Sequence, residues 1–317
     1  MEHNKLVSVI LTTHNRPPVI VLRAVNSVLN QTYKNIEFIV VDDSSSDYTH
    51  RKEVEKEVRK ASERIIYITL ETNRGACAAR NTGLSYAHGY YVAFLDDDDE
   101  WFPEKIEEQI KGFKNDNTAL VYSTYRIINK ITNQEYYRFK KQAQGEITFN
   151  KLLRRNVIGT TSNPLIKKEC VDEVGGFDEE LQSSQDYDLW LRIVERYPVA
   201  FIDKPLLNYY IHEGQRISTD VDSKIAGFEY LNLKYHEYLE KDNLVWYMSH
   251  RCLLWFYLKK YGRSRAVPLW VQCVKKAPWL IIRNMKDFLM IVLGADNYSL
   301  FVRIIKKPCR KVVENDR

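Results

Sequence analysis

The sequence predicts an open α/β domain: a mostly parallel central sheet with flanking helices, followed by a C-terminal helical extension. Three observations predict it. Between Leu6 and Phe113, short β-branched runs alternate with helically spaced segments, the pattern of βα units whose strands are covered on both faces. Several of those runs end in polar clusters, as happens where strands deliver side chains to one edge of a sheet. Beyond Ile225 the pattern changes to long segments rich in Tyr, Trp and Leu.

Taken in order, Leu6–Thr12 (LVSVILT) and Glu37–Asp42 (EFIVVD) read as buried strands, and Val19–Leu29 between them as a helix. The highly charged Thr49–Ala61 fits an exposed helix and Arg64–Leu70 a third strand. Ala76–Ala87 is a helix of small residues, Tyr90–Leu95 (YYVAFL) a fourth strand, and Pro103–Phe113 a helix with Pro near its first turn. Further on, Ala119–Ile128 reads as a strand, Gly145–Leu153 and Lys168–Val174 as short helices, and Gly175–Asp178 as a turn. Asp186–Arg196 is a strongly patterned helix. The expected division is an α/β domain over residues 1–220 and a basic helical extension over 221–317.

Composition narrows the class. With 44% apolar residues, 28% charged residues and 21 Tyr, 12 Phe and 6 Trp, the chain is globular and not disordered. Its five cysteines are odd in number and include no C-x-x-C pair. That excludes a disulfide scaffold and a cysteine zinc site, and favours a reducing compartment. The N-terminus has neither a basic n-region nor a long apolar h-region, so a cytoplasmic location is expected. The net charge of +5 hides an asymmetry: residues 1–250 carry −6 and residues 251–317 carry +11. A basic end on an acidic body points to an anionic partner. The chain contains no recognised nucleic-acid module, and none is expected to bind.

The sharpest feature is Asp96-Asp97-Asp98-Asp99, directly after YYVAFL. Adjacent carboxylates repel one another, and Mg²⁺ or Mn²⁺ offsets this by taking carboxylate and substrate phosphate oxygens; the competing reading is an acidic turn before the next helix. Asp42-Asp43-Ser44-Ser45 offers either a carboxylate for a ribose or base, or a simple Asx turn. The loop Thr12–Pro17 presents donors, acceptors and Arg16, which suits a nucleotide. Asn73-Arg74-Gly75 and Ala78–Gly83 form neither a G-x-G-x-x-G fingerprint nor a P-loop, which argues against a Rossmann dehydrogenase and a Walker ATPase. Their small residues serve tight packing or ligand approach equally, Arg80 excepted. In Gln185–Arg192 either Asp186 or Asp188 is a general base, or both merely suit a helix N-terminus.

Together these segments resemble the family 2 glycosyltransferases of GT-A fold. The matching pieces are SVILTTHNR, FIVVDDSSSD, NRGACAARNTGL, AFLDDDDEW, GGFDEEL, SQDYDLWLR and YYIHEGQRIS, in family order across Leu6–Ser218. The resemblance implies that Thr12, His14 (where Tyr is more usual), Arg16, Asp43 and Arg80 bind the nucleotide, with Asp43 on the uracil. Asp96-Asp97-Asp98 overlays the D-x-D element, and Asp99 extends the run by one. Asp97 would lie near the ribose, and Asp98, with Asp96 and His212, would hold a divalent metal, Mn²⁺ or Mg²⁺. Asp186 matches the catalytic carboxylate, preceded by Gln185 where many members have Glu.

The activity so implied is inverting, metal-dependent transfer from a nucleotide sugar, UDP-linked, to a glycan or lipid-linked acceptor in surface polysaccharide synthesis. Two alternatives stay open, a polyprenyl-phosphate sugar synthase and a non-catalytic nucleotide-sugar-binding subunit. Ala277–Leu293 is apolar but interrupted by Arg283, Lys286 and Asp287. It is too short and polar to span a bilayer, and reads either as an interfacial helix on the anionic inner face of the membrane or as a packed appendage.

Overall fold

The computed structural model describes residues 4–138, 147–212 and 220–299. Its sheet is built around β1 (Val7–Thr13), buried at every position but Thr12. On one side β1 pairs in parallel with β2 (Ile36–Asp42), from Val7↔Ile36 to Thr13↔Asp42. On the other it pairs in parallel with β4 (Tyr91–Asp96), from Val7↔Tyr91 to Thr12↔Asp96. The short β3 (Ile66–Thr69) adds to the far side of β2, again in parallel.

Continuous apolar strands need cover on both faces, and helices supply it. α1 (Pro18–Leu29) turns Val21, Ala24, Val25 and Val28 inward at helical spacing. α2 (Arg51–Ala61) buries only Val54 and Val58, as its charged sequence requires. α3 (Ala76–Ser85) lies so close to β1 that a Cβ on Gly83 would come within 2.4 Å of Ile10 Cγ2. Its small residues therefore serve packing at this point. From β1 the chain steps outward to β2 and β3, then returns to the opposite side of β1 as β4. That reversal opens a crevice beyond the carboxyl ends of β1 and β4.

Beyond β4 come β5 (Glu100–Trp101), α4 (Lys105–Ile110), β6 (Leu120–Asn129), β7 (Gln134–Arg138), α5 (Phe149–Arg154), β8 (Leu165–Lys167), α6 (Lys168–Glu173), α7 (Gln185–Arg196) and β9 (Val199–Ile211). The sheet order is β3-β2-β1-β4-β8-β6-β9-β5, with β7 on β6. β8 joins β4 and β6 antiparallel, and β6 runs parallel to β9. Of β9, thirteen residues long, only the strand-like end at Tyr209–Ile211 is evident in the sequence. A register shift falls between Ser123↔Ile202 and Thr124↔Pro205, and it breaks the alternation that would announce a strand. The helix expected over Gly145–Leu153 begins instead at Phe149, capped by Thr148, whose hydroxyl accepts from Lys151 N–H at 3.3 Å. Gly145 and Glu146 lie outside the described residues.

The chain divides into two compact units, Met1–Gln215 and Arg216–Arg317. The second holds α8 (Val221–Lys234), α9 (His236–Glu240), α10 (Asn243–Tyr261), α11 (Arg263–Lys276) and α12 (Ile281–Leu293). Among the described residues no helix is long and apolar enough to cross a membrane.

Candidate active site

The crevice is walled first by the turn after β4. Asp97 and Asp98 are buried there, and the turn closes with Asp99 N–H on the Asp96 carbonyl at 3.1 Å. Thr13, at the end of β1, donates its hydroxyl proton to Asp97 Oδ2 at 2.9 Å. Arg16 Nε donates to Asp97 Oδ1 at 2.9 Å, and its Nη2 to Asp98 Oδ2 at 3.2 Å. One guanidinium is thus shared between two neighbouring carboxylates. His212, just past β9, places Nε2 2.9 Å from that same Asp98 oxygen. From α1, Arg23 donates to the Asp98 carbonyl at 2.6 Å and fixes the turn from below.

Burial, with the neighbouring Asp98 charge, raises the Asp97 carboxyl to about 6 against the pull of Arg16 and the Thr13 hydroxyl. Burial alone would lower Arg16, but the two carboxylates outweigh it and hold the guanidinium above its ordinary value.

A second wall comes from β2. Asp42 is spent on structure, accepting from Ser44 N–H and the Tyr67 hydroxyl at 2.8 Å each. Asp43 accepts from Arg74 N–H at 2.7 Å and Gly75 N–H at 2.8 Å, so it holds the entrance to α3. Burial raises its carboxyl against the pull of those two donors. His14 donates from Nδ1 to the Asp43 carbonyl at 2.8 Å, which joins the loops after β1 and β2. Asn15 completes the joint in a left-handed conformation, φ +49°, which its short amide tolerates. Its N–H donates to Ser44 Oγ at 2.9 Å, and its side-chain oxygen accepts from Ser45 N–H at 3.0 Å.

The third wall is α7, and Arg80 ties it to β4. Buried on α3, Arg80 donates to Asp96 Oδ1 at 2.7 Å and to Gln185 Oε1 at 3.1 Å. Its guanidinium also lies 5.3 Å from the Phe177 ring centre. Phe177 is held in turn by Asn81, whose amide exchanges two 2.9 Å hydrogen bonds with the Phe177 backbone. The helix N-terminus that carries Asp186 is thereby anchored to the strand that carries Asp96. The two acidic candidates on α7 now separate. Asp188 is fully buried, accepts from Arg192 Nε at 2.8 Å and is ion-paired with Arg192 Nη2 at 2.7 Å. Asp186 is only half-buried, one residue beyond the Arg80 anchor, and accepts from Tyr187 N–H at 2.8 Å.

The structure therefore gathers His14, Arg16, Asp97, Asp98 and His212 in one crevice, with Asp43 against His14. Thr12 sits half-buried at the strand end, level with Asp96. Asp96, Asp98 and His212 do not form a ready three-ligand cluster: Asp98 and His212 meet, whereas Asp96 is paired with Arg80. Among the described residues no group of three or more metal-ligating His, Cys, Asp or Glu side chains is present. Sequence reasoning passed over Arg23, and it placed Thr13 in the nucleotide loop without singling it out. Strand alternation was the signal for Thr13, since successive side chains point to opposite faces.

Comparison with known proteins identifies the family and the fold. Residues 8–175 match the family described as Glycosyl transferase family 2. The chain is 37% identical over 198 residues to the Escherichia coli UDP-Glc:alpha-D-GlcNAc-diphosphoundecaprenol beta-1,3-glucosyltransferase WfgD, covering 62% of this chain and 73% of that protein. It is 29% identical over 290 residues to an uncharacterized glycosyltransferase of Methanocaldococcus jannaschii, covering 89% and 94%. Among solved structures, S. aureus TarS 1-349 in complex with UDP-GlcNAc superposes with a TM-score of 0.62 at 21% identity, covering 90% of this chain and 81% of that one. Against a longer TarS chain the match spans 48% of that chain. The likeness to TarS confirms the α/β fold with its C-terminal helices.

Proposed function

The chain belongs to glycosyl transferase family 2, and from that premise we propose that it moves a sugar from a UDP-sugar to a hydroxyl of a lipid-linked or glycan acceptor, with inversion at the anomeric carbon. The observation that carries the reading is the Arg80 bridge. It joins Asp96, next to the Asp97–Asp98 pair, to Gln185, next to Asp186. A nucleotide-facing turn and a candidate base are thereby fixed to one buried cation.

In this reading Asp186 accepts the proton of the acceptor hydroxyl as its oxygen attacks the anomeric carbon. The bond from that carbon to the diphosphate oxygen breaks on the opposite face, and the nucleoside diphosphate leaves. One base and one displacement give inversion. Asp43 and His14 border the base of the nucleotide, Asp97 its ribose, and Arg16 the diphosphate.

Asp98 and His212 fit a divalent metal, since they converge on each other with one carboxylate and one imidazole. Two protein donors suit Mn²⁺ or Mg²⁺ where substrate phosphates supply further oxygens; Asp96, held by Arg80, is the third candidate. When bound, such an ion neutralises charge gathering on the departing diphosphate. An undecaprenyl-diphosphate-linked acceptor draws support from the activity of WfgD on GlcNAc-diphosphoundecaprenol.

The test is a panel of nucleotide sugars with Mn²⁺, read as nucleoside diphosphate release with and without lipid-linked acceptors. UDP-sugars are expected to turn over and to be accelerated by a hydroxyl acceptor. Transfer to polyprenyl phosphate instead would select the synthase alternative. Tight UDP-sugar binding without any turnover would make the chain a binding subunit and overturn the reading.

A further inference from the structure

We propose that the outward face of α12 docks the protein onto an anionic lipid surface. The helix packs inward through a partly polar face and leaves its largest apolar stripe outward. Its inward residues are mixed: Met290 and Ile291 are buried apolar residues, and two polar ones are buried with them. Asp287 is buried, and accepts from Arg251 Nε at 2.6 Å, Arg251 Nη2 at 2.5 Å and the Tyr247 hydroxyl at 3.2 Å. Asn284 is also buried; its side-chain amide donates to the Ala277 carbonyl at 3.0 Å, and its backbone carbonyl accepts from Trp270 Nε1 at 3.1 Å.

The outward residues are apolar. Ile281, Ile282, Met285, Phe288 and Val292 are 62, 73, 65, 50 and 47% exposed, and their spacing gathers them on one stripe. Trp279, in the turn before the helix, is 58% exposed at the same end. A helix packed by this stripe alone would turn it inward. Here hydrogen bonds and an ion pair hold the opposite face in place, so the stripe is presented to solvent, and an exposed apolar patch of this kind marks a contact surface.

Charge selects the occupant. Lys286 lies one turn beyond Ile282 on the edge of the stripe, and Arg283 follows it round the helix, with Nη1 2.8 Å from Met248 Sδ. Lys275 and Lys276 end α11 just before Trp279. Residues 251–317 together carry +11. A second copy docked face to face would oppose that charge with its own, whereas an anionic bilayer complements it. At 13 residues α12 falls short of the ~20 needed to span, so it would lie in the interface with its apolar stripe down and Trp279 at headgroup depth.

The inference concerns the second unit alone and stands apart from the donor chemistry. The test sediments the full chain with vesicles of phosphatidylcholine, with or without phosphatidylglycerol, at low and high salt. Binding is expected only with phosphatidylglycerol, and should weaken as salt shortens the screening length from ~10 Å at 0.1 M toward ~3 Å at 1 M. The double variant Ile282→Glu/Met285→Glu should bind at least about tenfold more weakly, and Lys286→Glu should lose part of the binding. The double variant's thermal midpoint and UDP binding should match the wild type, because both side chains are exposed. Equal binding to neutral and anionic vesicles, or undiminished binding by the double variant, would overturn the proposal. So would a vesicle-indifferent wild type that sediments as a dimer which the double variant dissolves, since the stripe would then be a self-interface.

Discussion

Asp186→Asn is expected to lower sugar transfer by at least ~10²-fold, the scale of losing a positioned general base. The amide keeps the size of the carboxylate and its hydrogen bond from Tyr187 N–H, but it takes up no proton. Donor affinity should change little, because the groups proposed to face the nucleotide sit at the ends of β1, β2 and β4 and not on α7. Calorimetry with UDP and Mn²⁺ separates the two effects. Asp188→Asn is the matched control. Its carboxylate is fully buried against Arg192, so the change should appear as a lower unfolding temperature and not as a selective loss of turnover. Normal transfer by Asp186→Asn together with its loss in Asp188→Asn would move the base to Asp188.

The second large effect is expected at Asp98. Its carboxylate is the meeting point of Arg16 and His212, and it is the proposed metal ligand. Asp98→Ala should therefore abolish the Mn²⁺ dependence of UDP binding and cut turnover by about 10²-fold or more, the kinetic equivalent of the several kcal/mol a metal ion supplies to a departing oxyanion. Asp97 keeps its own bonds to Thr13 and Arg16, so the fold should persist, which circular dichroism checks. Wild-type turnover undiminished by exhaustive EDTA would remove the metal from the mechanism.

Much of this was legible in the sequence because β1, β2 and β4 are covered on both faces and write themselves as unbroken apolar runs. The polar residues that end those runs are the ones the crevice gathers. What stayed hidden depends on partners distant along the chain. Arg80 is a lone cation on a small-residue helix until Gln185, 105 positions on, shows it to be a strut. Asp186 and Asp188 look alike until Arg192 claims one of them. Helical spacing shows that α12 has two faces, but Arg251, 36 positions before Asp287, decides which one turns inward. Most of β9 is masked by Pro205 and the shifted register beside it.

Inversion by a single displacement at Asp186 is the centre of this account, and the anomeric configuration of the first-formed product tests it most directly. Proton NMR coupling at the transferred sugar, recorded early in a reaction with an α-linked UDP-sugar, should show a β linkage. An α linkage in that product would require a second displacement or front-face attack, and would contradict the assignment of Asp186 as the only base.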